Sequence, residues 1–300
     1  MRILHIDTSR AMRGGQHQIL LLLEGLKKLG HSQTLLARDP LLGQWPGQTV
    51  GLTSLWKSAK EADLIHAHDS HAHTLATLAC PCKPLIVSRR VAFEIRRSVL
   101  SHLKYSRVDR FLAVSKHVAN ELSKVNIALS KIEVIYDGVA VPPHSSISKR
   151  QTRHVVGLNS DDPLKENMLL QKSVDQANLS LHLSSDLVTD LRSASVFVYL
   201  SRCEGLGSAI LLAMALKVPV IASHIGGIPE LVEHERTGLL VKNEVDDIAN
   251  ALKRFECDPT LANECTERAY QYFLERFTSD IMVRHTERAY REVLALGTPS

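Results

Sequence analysis

The sequence predicts an α/β fold made of two doubly wound parallel sheets. Short apolar segments alternate with helical segments along nearly all of the 300 residues, which is typical of parallel strands covered by helices on both faces. The alternation is interrupted once, where prolines and serines cluster in residues 141–148. We therefore expect two domains, residues 1–145 and residues 146–300, each long enough to bury its own core.

The first domain is predicted to begin with a strand over residues 1–6. A glycine turn at Gly14 and Gly15 follows, and then an amphipathic helix over residues 19–29. Apolar runs predict further strands or strand ends at 33–37, 63–69, 111–115 and 132–139. Since parallel sheets bind ligands at the carboxyl ends of their strands, the residues that follow these strands are candidate functional residues.

The second domain shows the same alternation. Strands are predicted at 179–183, 196–200, 219–223 and 237–241, and helices are predicted to begin near residues 208, 229 and 246 and to cover much of 270–296. Pro229 suits a first helical position, and Asp246 and Asp247 suit a helix start.

The most informative segment is the turn between the strand at 196–200 and the alanine- and leucine-rich helix after it. Its residues are Glu204, Gly205, Leu206, Gly207 and Ser208. Glycine lets the backbone approach a ligand, and the first N–H groups of a helix lack partners within the helix, so this turn suits an anion. The carboxylate of Glu204 would repel a phosphate but hold sugar hydroxyls. Gly226 and Gly227 form a second such turn, although glycines at these positions also serve close helix–strand packing.

Composition places the chain among soluble globular proteins. Apolar residues make up 44% and charged residues 23% of the chain, and no run approaches the ~20 apolar residues that span a bilayer. The chain enters a strand at Met1 without a signal peptide, so we expect a cytoplasmic protein. Its five cysteines are expected to be free thiols, with a redox pair at Cys80 and Cys82 as the alternative.

A basic cluster spans residues 89–110. It comprises Arg89, Arg90, Arg96, Arg97, Lys104, Arg107 and Arg110, with Glu94 and Asp109 as its acids. Such a cluster fits anionic lipid headgroups or a phosphorylated acceptor, because each cation contributes about 1 kcal/mol near a charged leaflet. An ordinary solvated helix face is the alternative. Nucleic acid is not favoured, because no aromatic stacking surface accompanies the charge.

Four histidines lie close together in the sequence, and alternate positions of a strand share one face. They are His66, His68, His71 and His73. We do not expect a metal site, because the chain has 15 histidines and no neighbouring Cys or Glu completes a ligand set. His68, at a strand end beside Asp69, is instead a candidate for contact with a sugar hydroxyl.

Together these segments carry a family resemblance. The N-terminal half contains D-x-x-H-x-H at 63–68, A-V-S at 113–115 and I-x-V-I-x-D-G-V at 132–139, and the C-terminal half contains E-G-x-G at 204–207, P-V-I-A-S at 219–223, G-G-I-P-E-L-V at 226–232 and T-G-L-L-V at 237–241. From residue 1 to about residue 290, the chain resembles the retaining GT-B glycosyltransferases of group 1, of the family 4 type. Residues 87–93 with Lys104 and Tyr105 resemble more narrowly the members that build bacterial lipopolysaccharide.

The resemblance implies two Rossmann-like domains facing a cleft, with the last helix returning to the first domain. It implies metal-independent transfer of a sugar, with retention, from a nucleotide-diphosphate donor to a cell-envelope glycan or glycolipid such as the lipopolysaccharide core, without a cofactor. The implied catalytic residues are His68, Lys165 and Glu204. The implied donor-binding residues are Gly14, Gly15, Gly205, Leu206, Gly207, Ser208, Gly226 and Gly227, and the implied acceptor- or anion-binding residues are Arg89 and Arg90.

The chain departs from the family pattern at three places. Ser160 stands where the family has a diphosphate-binding arginine before Lys165, and Leu212 replaces the glutamate that holds the nucleotide ribose; a hydrophobe cannot accept that hydrogen bond. Residues 166–178 are too few for the usual βαβ unit, so either an interior strand is missing and a protein partner completes the sheet, or the domain is natively reduced. The departures favour an alternative function, a catalytically impaired binding or scaffolding subunit. For Lys165 itself, the alternative is an ordinary exposed lysine.

Overall fold

The structure, a computed structural model, describes residues 1–80, 82–93, 95, 98–125, 127–142 and 153–296. The chain divides into two compact units, Met1–Gly138 with Ser279–Ser300 and Val139–Thr278. The domain boundary expected between residues 145 and 146 lies outside the described residues, as do Glu94, Arg96 and Arg97 of the basic cluster.

The first unit is described by its strands and helices in chain order. The strands are β1 (Arg2–Ile6), β2 (Ser32–Ala37), β3 (Gln48–Thr49), β4 (Leu64–Ala67), β5 (Leu85–Arg89), β6 (Arg110–Ala113) and β7 (Ile132–Val134). The helices are α1 (Gly14–Lys28), α2 (Asp39–Leu42), α3 (Leu52–Glu61), α4 (Ser70–Ala79), α5 (Val99–Ser106), α6 (Lys116–Ser123) and, from the C-terminal segment, α12 (Ser279–Leu296).

In the described part of the first unit, seven parallel strands form one sheet in the order β3-β2-β1-β4-β5-β6-β7. The order reverses between β1 and β4, which pair from Ile3 with Leu64 to Ile6 with Ala67. All four residues of β4 are buried, because helices cover both faces of a parallel sheet. The connections from β1 and β4 leave in opposite directions, so the carboxyl ends of these two strands border an opening for a ligand.

Helix α12 packs on α1 within the first unit. The two helices approach each other closely at Gly25, where an added Cβ would lie 2.3 Å from Cγ2 of Val283. Further along α12, the fully buried Tyr290 places its hydroxyl 2.5 Å from Nδ1 of His66 on β4. The final helix is therefore part of the core of the first unit.

The second unit contains the remaining elements. Its strands are β8 (His154–Leu158), β9 (Ser180–Ser184), β10 (Val196–Tyr199), β11 (Val220–Ser223) and β12 (Leu239–Val241), and its helices are α7 (Asn167–Ala177), α8 (Leu187–Asp190), α9 (Ser208–Ala215), α10 (Val245–Cys257) and α11 (Pro259–Arg276). The two parallel sheets confirm the predicted α/β class.

Over the described residues, the second sheet has five parallel strands in the order β12-β11-β10-β8-β9. Helix α7 alone occupies the short interval at 166–178 and connects β8 to β9, which pair from His154 with Ser180 to Leu158 with Ser184. Strand β8 pairs directly with β10 on its other side. The expectation of a missing interior strand is therefore wrong. The short interval forms a whole crossover unit at the edge of the sheet and leaves its interior continuous.

Three helix starts differ from the prediction. Helix α1 begins at Gly14 rather than near residue 19, because Gln16 caps its first turn by accepting from the Arg13 N–H over 3.2 Å. After the second glycine turn the chain makes only a short 3₁₀ turn, Ile228–Glu230, before it leads to β12. Helix α10 begins at Val245, so the predicted capping aspartates lie within its first turn, where the helix dipole favours negative charge.

The structure also bears on the cysteines and on membrane-spanning helices. All five cysteines are thiols rather than disulfides; Cys80 is buried and Cys82 is exposed. Among the helices that the structure describes, none has the length and apolar character that crossing a membrane requires.

The packing at Gly25 generates the first prediction. We expect Gly25→Ala to lower the free energy of unfolding by about 1–3 kcal/mol, because the new methyl group overlaps Val283. Combining it with Val283→Ala should recover part of that loss, so the two substitutions should couple in a double-mutant cycle measured by urea unfolding. Gly51→Ala, where the nearest atom would lie at 3.6 Å, serves as the control. Strictly additive effects would show that the close approach of α1 and α12 is not a constraint.

Candidate active site

The candidate catalytic residues follow the strands that flank the reversal of strand order in each sheet. In the second unit, Lys165 follows β8 and Glu204 follows β10. In the first unit, the turn at Gly14 follows β1, and His68 comes directly after β4. Within each unit, the structure thus gathers the candidates at the place where open α/β sheets bind ligands.

Lys165 and Glu204 form an ion pair, with 2.5 Å between Lys165 Nζ and Glu204 Oε2. The hydroxyl of Tyr199, the last residue of β10, lies 2.5 Å from each of these atoms; it accepts from the ammonium group and donates to the carboxylate. The side chains of Lys165 and Glu204 are only 15% and 16% exposed. The alternative that Lys165 is an ordinary exposed lysine is therefore wrong, and the attraction between the two charges is only weakly screened by water.

The two glycine turns of the second unit meet at the backbone of Glu204. The Gly227 N–H donates to the Glu204 carbonyl over 3.2 Å, and a Cβ on Gly226 would lie 2.1 Å from that oxygen. Gly226 also has φ +58°, in the left-handed region that favours glycine. Oε1 of Glu204 accepts from the Gly205 N–H over 3.1 Å. The backbone and the side chain of Glu204 are therefore both held in place.

Gly207 ends the first of these turns and precedes helix α9. Its φ is +94°, and a Cβ there would lie 3.3 Å from Cε1 of Tyr199, so glycine permits both the turn and the approach to the tyrosine ring. Helix α9 begins at Ser208, and its first N–H groups point away from the helix body. Leu206 is only 2% exposed, so its side chain belongs to the core of the second unit.

The position that lacks the family's arginine belongs to a tight turn. Ser160 accepts from the Asp162 N–H over 3.2 Å. A guanidinium group is present nearby on the loop after β10, where Arg202 forms an ion pair with Glu166, the residue that follows Lys165. The Arg202 side chain is 69% exposed.

In the first unit, the glycine turn is tied to the end of β1. Gln16 donates to the carboxyl group of Asp7 over 3.2 Å and also caps the helix that begins at Gly14. Asp7 is fully buried. Burial, and then the neighbouring Asp69 carboxylate, raise the pKa of Asp7 to about 6. The N-terminus of α1 is thus anchored on a buried acid.

His68 belongs to a buried cluster of three histidines. Its Nε2 shares a hydrogen bond of 3.0 Å with Nδ1 of His5 on β1. The ring of His66 lies 3.9 Å from that of His68, centroid to centroid, and hydrogen-bonds Tyr290 and Ser88. Burial lowers the pKa of all three imidazoles, that of His5 to about 3, so they are neutral near pH 7.

The four histidines that lie close together in the sequence do not form a cluster in the fold. His71 is exposed, and His73 hydrogen-bonds a backbone carbonyl of α5. His5, His66 and His68 each present a nitrogen within 4.8 Å of the others. The facing nitrogens of His5 and His68 and both nitrogens of His66 already take part in hydrogen bonds, as buried polar groups do.

The two candidate anion-binding arginines are held by protein partners. Nε of Arg90 lies 3.2 Å from Oδ1 of Asp137, and the two side chains are 18% and 10% exposed. A Cβ on Gly15 would lie 3.7 Å from Cδ of Arg90, which places this arginine beside the first glycine turn. Arg89 instead donates to two backbone carbonyls of the loop that follows it, over 3.1 and 2.7 Å.

The structure adds Tyr199 and His5 to the candidates. In the sequence, Tyr199 belongs to an apolar strand segment and His5 to the first strand, so neither is predicted to be functional. The available signals were weak. For Tyr199, the signal was a hydroxyl group at the carboxyl end of a strand, five residues before Glu204, and for His5 it was a polar residue within an apolar run.

Two family models match the chain. The model described as "Glycosyltransferase Family 4" matches residues 12–141, and the model described as "Glycosyl transferases group 1" matches residues 148–272. The chain carries a glycosyltransferase family 4 domain followed by a group 1 glycosyltransferase domain. Lys165, Tyr199 and Glu204 all lie within the second matched region, and the resemblance to group 1 glycosyltransferases of the family 4 type is confirmed.

Solved structures show which fold this group 1 chain adopts. A crystal structure of Anabaena Alr3699/HepE in complex with UDP and glucose is 17% identical, with a TM-score of 0.83 over 97% of this chain and 100% of that one. The lipopolysaccharide outer core galactosyltransferase WaaB is 13% identical, with a TM-score of 0.72 over 97% of this chain and 99% of that one. At these identities the likeness concerns the fold, which is that of the GT-B glycosyltransferases.

Curated relatives match a shorter part of the group 1 chain. The alpha-maltose-1-phosphate synthase of Mycolicibacterium smegmatis is 38% identical over 112 residues, which are 35% of this chain and 29% of that protein. The N-acetyl-alpha-D-glucosaminyl L-malate synthase of Bacillus anthracis is 34% identical over 111 residues, 36% of this chain and 29% of that protein. The matches thus span less than a third of the length of these relatives.

The buried histidines generate a pH prediction. Below pH 6.5 the unfolded chain protonates these imidazoles while the folded unit does not, so stability present near pH 7 should be lost as the pH falls. For His5, whose folded pKa is about 3, the loss between pH 7 and pH 5 is about 2 kcal/mol. Asp7 acts in the opposite sense, because its raised pKa stabilises the folded unit as the pH falls below about 6. The lowered pKa values of the three clustered imidazoles, and that of His73, outweigh this single group.

Urea unfolding at pH 7 and pH 5 checks this balance. His5→Gln should flatten the dependence on pH, whereas His71→Gln, at an exposed position, should not. Stability that is constant or that rises toward pH 5 would contradict the burial of neutral imidazoles.

Proposed function

We propose that the chain is a retaining, metal-independent glycosyltransferase that moves a sugar from a nucleotide-diphosphate donor to a cell-envelope glycan or glycolipid of the lipopolysaccharide-core kind. The observation that carries the proposal is the network of Lys165, Tyr199 and Glu204 at the reversal point of the second sheet, beside the N-terminus of α9. It provides a cation and free N–H groups for phosphate, and a carboxylate for sugar hydroxyls, at one place.

Each group has a part in the proposed transfer. Negative charge builds on the leaving diphosphate as the bond to the sugar breaks, and a fixed ammonium group with helix N–H groups can stabilise that charge. In the proposal, these contacts come from Lys165 and from the first N–H groups of helix α9, which begins at Ser208. Glu204 binds the sugar through Oε1, which accepts one hydrogen bond from Gly205 and keeps a second lone pair for a hydroxyl.

The donor is proposed to be a nucleoside diphosphate sugar, with UDP-sugars as the first to test. The Anabaena protein, whose fold matches over its whole length, was crystallised with UDP-glucose. Leu212 offers no hydrogen-bonding atom for a ribose, so we expect the nucleotide to bind more weakly than where a carboxylate is present. The continuous second sheet removes one of the three observations that favoured a non-catalytic subunit.

The acceptor is proposed to lie at the cytoplasmic face of the membrane. Exposed apolar side chains, Phe93, Val99 and Leu103, are 53–79% exposed and accompany Arg89 and Lys104 in the basic cluster. Apolar side chains next to cations favour the interface of an anionic bilayer. This surface fits a peripheral contact that would bring the first unit to a lipid-linked acceptor.

The role of Glu204 is tested by Glu204→Gln. We expect the release of nucleoside diphosphate from a panel of UDP-, GDP- and ADP-sugars, with truncated lipopolysaccharide as acceptor, to fall about ten- to a hundredfold, because the amide loses the charged hydrogen bonds. Glu264→Gln, at an exposed ion pair on α11, should leave the rate unchanged. Equal rates in both variants would remove Glu204 from the site, and an inactive wild-type protein across the panel would overturn the proposed activity.

Metal independence is tested with a chelator. Since Lys165 and helix N–H groups are proposed to neutralise the diphosphate, the transfer rate should persist in excess EDTA. A rate lost on chelation and restored by Mg²⁺ or Mn²⁺ would show that a cation takes part in the reaction.

A further inference from the structure

We infer that Tyr199 is a positioning residue whose hydroxyl frees Lys165 from Glu204 when a donor diphosphate binds. The inference rests on the proposed function and extends it to a residue outside the family motifs quoted above. Tyr199 is only 5% exposed, so it acts through its two neighbours.

The hydroxyl of Tyr199 completes a closed arrangement of hydrogen bonds. It has one proton to give, which it donates to Oε2 of Glu204, and a lone pair that accepts from the Lys165 ammonium group, both over 2.5 Å. The ammonium group also lies 4.5 Å from the centre of the tyrosine ring. Burial, followed by the charge of Glu204, raises the pKa of Tyr199 well above its usual value, so the hydroxyl keeps the proton that it donates.

This arrangement allows Lys165 to leave Glu204 and bind a diphosphate instead. In the free protein the charge of Lys165 is taken up by Glu204, so the ammonium group must turn from the carboxylate to reach a diphosphate. Without Tyr199, Oε2 of the largely buried Glu204 would then lose its side-chain donors, and leaving a buried charged acceptor unpaired is costly. With Tyr199 present, the carboxylate keeps a short hydrogen bond while Lys165 moves.

Two features of the local sequence make this exchange of partners by Lys165 important. With Ser160 in place of the family's arginine, Lys165 is the charged phosphate contact of the proposed site. A Cβ on Gly207 would lie 3.3 Å from Cε1 of Tyr199, so the turn that carries Glu204 packs closely against the tyrosine ring. The tyrosine therefore has little freedom to follow either partner, and the lysine is the group that can move.

The test compares Tyr199→Phe with a matched control, Tyr270→Phe. Both substitutions remove only a hydroxyl, and both rings have a lysine ammonium 4.5 Å from the centroid, but Tyr270 lies on α11. Calorimetry with UDP, GDP and ADP identifies the nucleoside diphosphate that binds most tightly, and an NMR titration with the corresponding nucleoside measures the contacts that lack phosphate. The same titrations are repeated in a Lys165→Ala background, and urea unfolding checks that each variant is folded.

We expect Tyr199→Phe to weaken the nucleoside diphosphate about tenfold, to leave the nucleoside within twofold of wild type, and to have no further effect once Lys165 is alanine. Tyr270→Phe should match wild type throughout. A merely structural role would weaken the nucleoside and the diphosphate alike, or add to the effect of Lys165→Ala, and would overturn the inference. Unchanged diphosphate binding in Tyr199→Phe would overturn it while leaving the proposed function intact. Failure of the wild-type protein to bind any of the three diphosphates would overturn both.

Discussion

The second unit depends on the convergence of two donors on one carboxylate oxygen of Glu204. Lys165 and Glu204 are far apart in the sequence, and they meet because β8 and β10 are direct neighbours in a parallel sheet. The residues that follow these strands therefore emerge side by side at the same edge. Gly226 and Gly227, in the connection after β11, pack against the Glu204 backbone, and the Gly227 N–H donates to its carbonyl. The charge network is thus a consequence of strand order combined with three short turns.

Much of the fold could be predicted from the sequence because its signals are local. Apolar runs identified the core strands, and glycine after a strand identified the turns, since hydrophobic periodicity and backbone freedom are properties of short segments. The starts of three helices differ from those predicted. The capping interaction of Gln16 and the short 3₁₀ turn after Gly227 depend on contacts that a single segment does not reveal.

The composition of the site was only partly predictable, for a related reason. Lys165, Glu204 and the glycines stand out through motifs, whereas Tyr199 is indistinguishable from a core residue until its neighbours are known. His68 appeared as a free side chain at a strand end, but pairing of β1 with β4 sets it against His5. The prediction of a missing interior strand was wrong for a similar reason. The length of a segment does not reveal whether a shortened sheet lacks an interior strand or an edge strand.

The position of β9 has a consequence for how such a chain can vary. Among the strands that the structure describes, β9 lies at the margin of the second sheet and hydrogen-bonds to one neighbour, β8. A crossover unit lost or gained beyond it alters one ladder of hydrogen bonds and leaves the pairing of β8 with β10 untouched. A domain arranged in this way is modular on one side: its length can change over evolutionary time, or by design, while the chemistry at its centre is conserved.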